Sequence, residues 1–174
     1  MVRDAAVPAE PDIYAWIEEV FRQGVRRLIF LNGHYENAPL ICEALEAATP
    51  HSSGPMRKAL LINWWDFVHS EDMGWLFGHG FPGWQAEHAG HCETSLMEEL
   101  RPDLVRTVLK VDDRAARVPP YEIFPPPADI VAPSGVLTRS TAASRELGAR
   151  LSRVLVERIQ AALAVEFPVE QSAP

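Results

Sequence analysis

Apolar positions along the chain follow two periods in turn. Residues 12–23 place Ile13, Trp16, Ile17, Val20 and Phe21 at the 3.6-residue spacing of one helix face, and Gly24 follows as a stop. Residues 26–31 (RRLIFL) are a short apolar run of strand length. The helical period returns over 38–48, where Leu40, Ile41, Ala44 and Leu45 form a stripe. Asn37 is placed to cap that helix, and Pro39 is tolerated in its first turn. Residues 58–64 (KALLINW) are a second run of the buried-strand type. Helix, strand, helix, strand, with apolar rather than alternating strands, predicts an α/β fold whose mostly parallel sheet is flanked by helices.

Periodicity is lost over 70–86, where glycines at 74, 78, 80 and 83 predict a loop. A helix is expected from about 89 to 101, stopped by Pro102. The segment 118–135 holds Pro119, Pro120, Pro125, Pro126, Pro127 and Pro133, so it fits neither a helix nor a sheet interior. It is expected to run extended over the surface or onto a neighbouring subunit. A long last helix is predicted over 140–165, with Ser140 or Thr141 near its cap and Leu147, Leu151, Val154, Leu155, Ile159 and Leu163 on one face. No repeat or linker interrupts the chain, which reads as a single domain over 1–174.

Composition narrows the partners. The 174 residues are 47% apolar and 23% charged, ordinary values for a globular protein with a core of its own. The net charge is −8, with no Lys/Arg cluster to offset it, which argues against nucleic acid and anionic membrane as partners. Cys42 and Cys92 alone make no disulfide framework and suit a reducing compartment. The opening MVRDAAVPAEPD has no apolar core of a signal peptide and reads as a ragged start. The run at 59–65 is far too short to span a bilayer. A cytoplasmic location is the expectation.

Three clusters carry chemistry. In open α/β sheets, ligands bind beyond the carboxyl ends of the strands. His34, Tyr35 and Glu36 fall at such an end, in NGHYEN. His and Glu are good ligands for zinc or manganese, but one His and one carboxylate do not define a metal site, and on spacing alone they read first as solvated turn residues. The second cluster, in FPGWQAEHAGHCETSLM, holds Glu87, His88, His91 and Glu93. His88 would share a helix face with His91 and Cys92 only if the helix began early, and the Ala89–Gly90 pair argues against that. Packing is the preferred role of His91 and Cys92. Trp64, Trp65 and Asp66 end the second strand, and Trp84 sits in the glycine-rich loop. These rings are either core or flat walls for a small planar ligand.

Taken together, NGHYEN, WWDF and FPGW followed by EHAGHCETSLM resemble the creatininase (creatinine amidohydrolase) family. Tyr35, the tryptophan pair and PPYEIFP at 119–125 are more similar to the member that names the family than to its wider relatives. The resemblance runs from about residue 12 to Phe167. It implies a creatininase-like α/β fold, a two-metal site with zinc (manganese being an alternative at one position), and a homohexamer. His34 and Glu36 would be metal ligands. The metals would polarise the substrate carbonyl and convert a bridging water to hydroxide near neutral pH. That hydroxide would open the ring of creatinine to creatine, reversibly. His88 would carry the proton to or from the ring nitrogen, with Glu36 and Glu93 completing the catalytic set, Glu93 by orienting His88. Tyr35, Trp84, Gln85 and His88 would contact the substrate, and Trp65 would lie over it as a lid that excludes water.

Two departures accompany the resemblance. The family's remaining metal ligands lie in an earlier segment, a Glu-x-His pair and an Asp, and nothing similar precedes His34 here. Asp4, Glu10 and Asp12 stand in no such context. The chain is therefore expected to represent the family fold without its N-terminal segment, and to expose strand hydrogen bonds and apolar surface at the open sheet edge. Gln85 stands where the family carries an acidic residue that helps hold the substrate. The alternatives are a hydrolase of another cyclic or small amide, or a non-catalytic remnant.

Overall fold

The computed structural model describes residues 13–49, 57–78, 80–113 and 132–168, with 119, 121, 123–125, 127 and 130 between the last two stretches. The ragged start expected for the first dozen residues lies outside the described residues. The chain forms two compact units, Met1–Trp64 and Trp65–Pro174.

In the first unit, β1 (Arg27–Asn32) and β2 (Lys58–Asn63) pair in parallel, with Arg27 opposite Lys58 and Asn32 opposite Asn63. Helices α1 (Ile13–Arg22) and α2 (Asn37–Ala48) supply the core. Ile17, Phe21, Ile41, Ala44, Leu45 and Ala48 are buried together, and Leu28, Phe30, Ala59 and Leu61 of the sheet pack against them. Each fully buried large side chain here contributes about 1.5–3 kcal/mol. The fold class predicted from periodicity is the one observed.

The details differ in instructive ways. The apolar runs suggest strands buried on both faces. In β1 only alternate residues turn toward the core, and Ile29 and Leu31 are 44% and 66% exposed. Asn37 is the first helical residue rather than the cap of α2; Glu36 occupies the cap position without a side-chain cap bond. Leu40 is exposed because Ile41, Ala44, Leu45 and Ala48, spaced i, i+3, i+4, i+7, already fill the inward face.

The second unit begins within a 3-10 turn, Trp64–Phe67. The stretch expected to be loop contains a short helix, α3 (Met73–Phe77). Asp72 organises it, accepting the His69 N–H (2.8 Å) and the Trp75 Nε1–H (3.2 Å). Arg158 pairs with the Asp72 carboxylate and donates to the Phe67 carbonyl (2.8 Å), which ties the turn to the last helix. That helix, α5 (Arg145–Glu166), packs on α4 (His91–Leu100) with Leu151 and Leu155 buried between.

The cap of α5 is Ser144, whose Oγ accepts the Leu147 N–H (3.1 Å), not Ser140 or Thr141. Those two hydroxyls are engaged elsewhere. Ser140 Oγ accepts from the Val111 N–H and donates to the Val111 carbonyl (2.8 and 2.7 Å), and Thr141 Oγ1 donates to Asp112. The described residues of 118–135 lie in no helix or strand, as the prolines require.

Candidate metal and substrate residues

The end of β1 is built around an asparagine pair. Asn32, 3% exposed, donates from Nδ2 to Asn63 Oδ1 (2.9 Å), which joins the carboxyl ends of the two strands. Its own Oδ1 accepts the His34 N–H (3.1 Å) and so bends the chain out of the sheet. The turn closes with Asn37 N–H on the His34 carbonyl and Ala38 N–H on the Tyr35 carbonyl, 3.2 Å each. Because Glu36 spends no oxygen on the helix cap, its carboxylate meets His34, with Nε2 and Oε2 2.7 Å apart. Both side chains are substantially exposed, as is Tyr35. The first unit thus brings His34, Tyr35 and Glu36 to one strand end, as the sequence pattern led us to expect. Asn32 and Asn63, which hold that end in shape, were not singled out from the sequence. The available signal was a polar residue closing each of two apolar runs.

In the second unit Trp65 is 5% exposed, so its ring is buried. Trp84 opens a 3-10 turn, Trp84–Ala86, that also carries the exposed Gln85. Phe77, Phe81 and Trp84 stack against one another with ring centroids 4.7–5.8 Å apart. His91 completes this aromatic group, edge-on to Phe77 at 4.8 Å, and its Nε2 donates to the Leu76 carbonyl (2.6 Å). Burial pushes the His91 pKa down. Helix α4 starts at His91, so His88 lies on the preceding turn and shares no helix face with His91 or Cys92. Cys92 is fully buried, and burial drives its thiol pKa far up. His91 and Cys92 are packing residues, as preferred.

His88 is half-buried on the turn, and its carbonyl accepts the Leu137 N–H (3.1 Å). Glu93, expected to orient His88, bonds one residue further on: its Oε2 accepts the Ala89 N–H (2.7 Å). Glu87 was named in the cluster but given no role. It is 2% exposed, and its Oε1 accepts the Cys92 N–H (2.7 Å). Burial first, then the charge of Glu93, raise its pKa from 4.5 to about 7, against the lowering effect of the Cys92 bond.

That shift has a sign. Below pH 4.5 Glu87 is protonated in folded and unfolded chains alike, and nothing is lost. From there to about 7 the unfolded chain releases a proton that the fold retains, so stability falls as pH rises and levels off above 7. The loss is on the order of 3 kcal/mol. Glu87→Gln keeps an acceptor for Cys92 and cannot ionise. It is expected to melt above the parent at pH 8 and level with it near pH 4, as thermal unfolding across that range would show. Equal melting temperatures at both pH values would contradict this.

A family model described as creatinine amidohydrolase, Creatininase, matches residues 13–163. The chain belongs to the creatininase family. It is 41% identical over 157 residues to the creatinine amidohydrolase of Pseudomonas putida, covering 87% of this chain and 60% of that protein. Among solved structures, a mutant creatininase complexed with creatine aligns with a TM-score of 0.81 at 38% identity, over 90% of this chain and 63% of that one. A manganese creatininase aligns at 0.79 and 39%, over 90% and 63%, and a mutant of the zinc–zinc type at 0.80 and 38%, over 90% and 62%. The chain therefore spans about three fifths of the length of the creatininases it matches. Among the described residues no helix is long and apolar enough to cross a membrane.

Proposed function

We propose that this chain is part of a metal-dependent amidohydrolase that opens the ring of creatinine to creatine and closes it again. The observation that carries the reading is the pairing of the His34 imidazole with the Glu36 carboxylate, 2.7 Å apart at a strand end, in a member of the creatininase family. One borderline nitrogen donor and one hard oxygen donor, both reachable from solvent, suit zinc or manganese. Zinc, or zinc with manganese at one of two positions, would supply Lewis acidity there.

The chain's own side chains do the rest. His34 and Glu36 would hold the metals. His88 delivers a proton to the ring nitrogen as the amide bond breaks and recovers it on closure. Tyr35, Trp84, Gln85 and His88 contact the ring, and Trp65 keeps water out. Glu93 acts on His88 through the backbone it binds. A homo-oligomer, a hexamer by family resemblance, and a cytoplasmic location complete the proposal.

Metal stoichiometry is the deciding experiment. A zinc site takes four ligands, and His34 and Glu36 provide two. Close to two metal ions per chain by elemental analysis of the purified protein, falling in His34→Ala, would mean that further donors complete the site. A value near zero in the parent would sink the metal reading and favour a remnant without catalysis. A second substrate class stays open for one reason. Gln85 is exposed and uncharged where an acidic residue is expected, and a substrate panel that ranks another cyclic or small amide above creatinine would select that class.

A further inference from the structure

The turn that carries His88 is held far more tightly than a helix start requires. The peptide between His88 and Ala89 is bonded at both ends. Its carbonyl accepts the Leu137 N–H (3.1 Å), and its N–H donates to Glu93 Oε2 (2.7 Å). The next carbonyl, that of Ala89, accepts from Thr94 Oγ1 (3.2 Å). Ala89 has φ of 49°, in the left-handed region that a residue with a Cβ rarely adopts. Such strain persists only where the surroundings over-determine it, and it gathers at functional sites.

Glu87 closes the same turn from the other side. Gly90, the cap residue of α4, makes no side-chain cap bond, and Glu87 Oε1 takes the Cys92 N–H instead. There is no room for an ordinary cap: a Cβ on Gly90 would lie 2.4 and 2.5 Å from the Glu87 oxygens and 2.5 Å from Thr138 Cγ2. Glu87 Oε2 is buried with no hydrogen-bond partner among the described residues, and His91 Nδ1 stands 4.0 Å away. A solvent-facing serine or aspartate caps a helix without burying a carboxylate, so capping alone does not account for Glu87.

We propose that Glu87 is a positioning residue for His88: with Glu93 it clasps the turn 87–90 from both sides and so fixes the imidazole for proton transfer. The role in catalysis rests on the function proposed above. The two carboxylates reach in opposite directions, Glu87 forward to Cys92 and Glu93 back to Ala89. Removing the forward arm frees the strained Ala89 to relax and lets His88 sample several orientations, while groups that bind the ring remain.

The test compares Glu87→Ala with Glu87→Gln in the full chain, at a temperature where circular dichroism shows each folded. Glu87→Ala is expected to lower kcat for creatinine by about 10- to 100-fold, as a misplacement near 1 Å does, with KM within about threefold. Glu87→Gln, which keeps the acceptor, is expected to retain kcat within about threefold. If Glu87→Ala does not fold, Glu87→Asp, which withdraws the oxygen by one methylene, takes its place with the same expectation. A variant with a lower melting temperature and parental kcat would overturn the proposal and leave Glu87 a helix cap. If the parent itself does not turn over creatinine, the functional reading falls, and the clasp is judged by NMR of the His88 ring. A His88 resonance broadened or moved in Glu87→Ala and restored in Glu87→Gln upholds it; one unchanged by Glu87→Ala overturns it.

Discussion

Alanine at position 88 is expected to lower kcat for creatinine by about 10²- to 10⁴-fold while metal content stays at the parental value. Opening an amide ring requires a proton on the departing nitrogen, and imidazole, as a class, titrates where such transfers are efficient. The position suits the role: His88 sits half-buried on a pinned turn, neither packed in a core nor free in solvent. The bond from Leu137 goes to the His88 backbone and survives the substitution, so the turn is expected to keep its shape. Steady-state kinetics alongside elemental analysis reads both effects. His34→Ala should differ by losing metal and turnover together. If His88→Ala loses metal as well, His88 is a ligand rather than the proton carrier. Turnover close to the parent would remove it from the mechanism.

How much of this was legible follows from the range of each interaction. The faces of α1 and α2 were readable because Ile17, Phe21, Ile41 and Leu45 repeat locally at the helical period. The parallel pair was readable from two apolar runs separated by a helix. Helix caps were misplaced, at Asn37 rather than Glu36 and at Ser140 or Thr141 rather than Ser144, because neighbouring polar residues compete and tertiary partners decide. Val111 and Asp112, some thirty positions away, claim Ser140 and Thr141. The helix α3 was hidden for the same reason, since Arg158 stabilises its start from the far end of the chain. In the site, His34 and Glu36 stood out through their chemistry and family pattern. The Asn32–Asn63 bond, across 31 positions, and the clasp of Glu87 and Glu93 did not, because a carboxylate that folds back on its own backbone looks in sequence like any other acid before a helix.

Gly148→Ala should be among the most damaging substitutions to stability, at about 2–4 kcal/mol, though it adds a single methyl. Gly148 lies inside α5, where it is buried against α4. A Cβ there would fall 1.9 Å from the Ser95 carbonyl oxygen, 2.6 Å from its carbon and 3.1 Å from Glu99 Cβ. The first two are backbone atoms of α4 and cannot swing aside, so the helices must part. Parting them strains the Ser144 N–H bond to Ser95 Oγ (3.0 Å) and the Arg145–Glu99 pair (2.8 Å), and opens the contact around Leu151. Alanine's better helix propensity returns about 1 kcal/mol, too little to compensate. Gly74 in α3 provides the control: a Cβ there meets nothing within 4 Å, and its φ lies outside the left-handed region. Gly74→Ala should therefore be neutral or slightly stabilising by the same propensity. Urea unfolding of the two variants beside the parent separates close packing from propensity, since one substitution made in two helices should destabilise only through Gly148. A Gly148→Ala variant as stable as the parent would mean that α4 and α5 do not approach as closely as described.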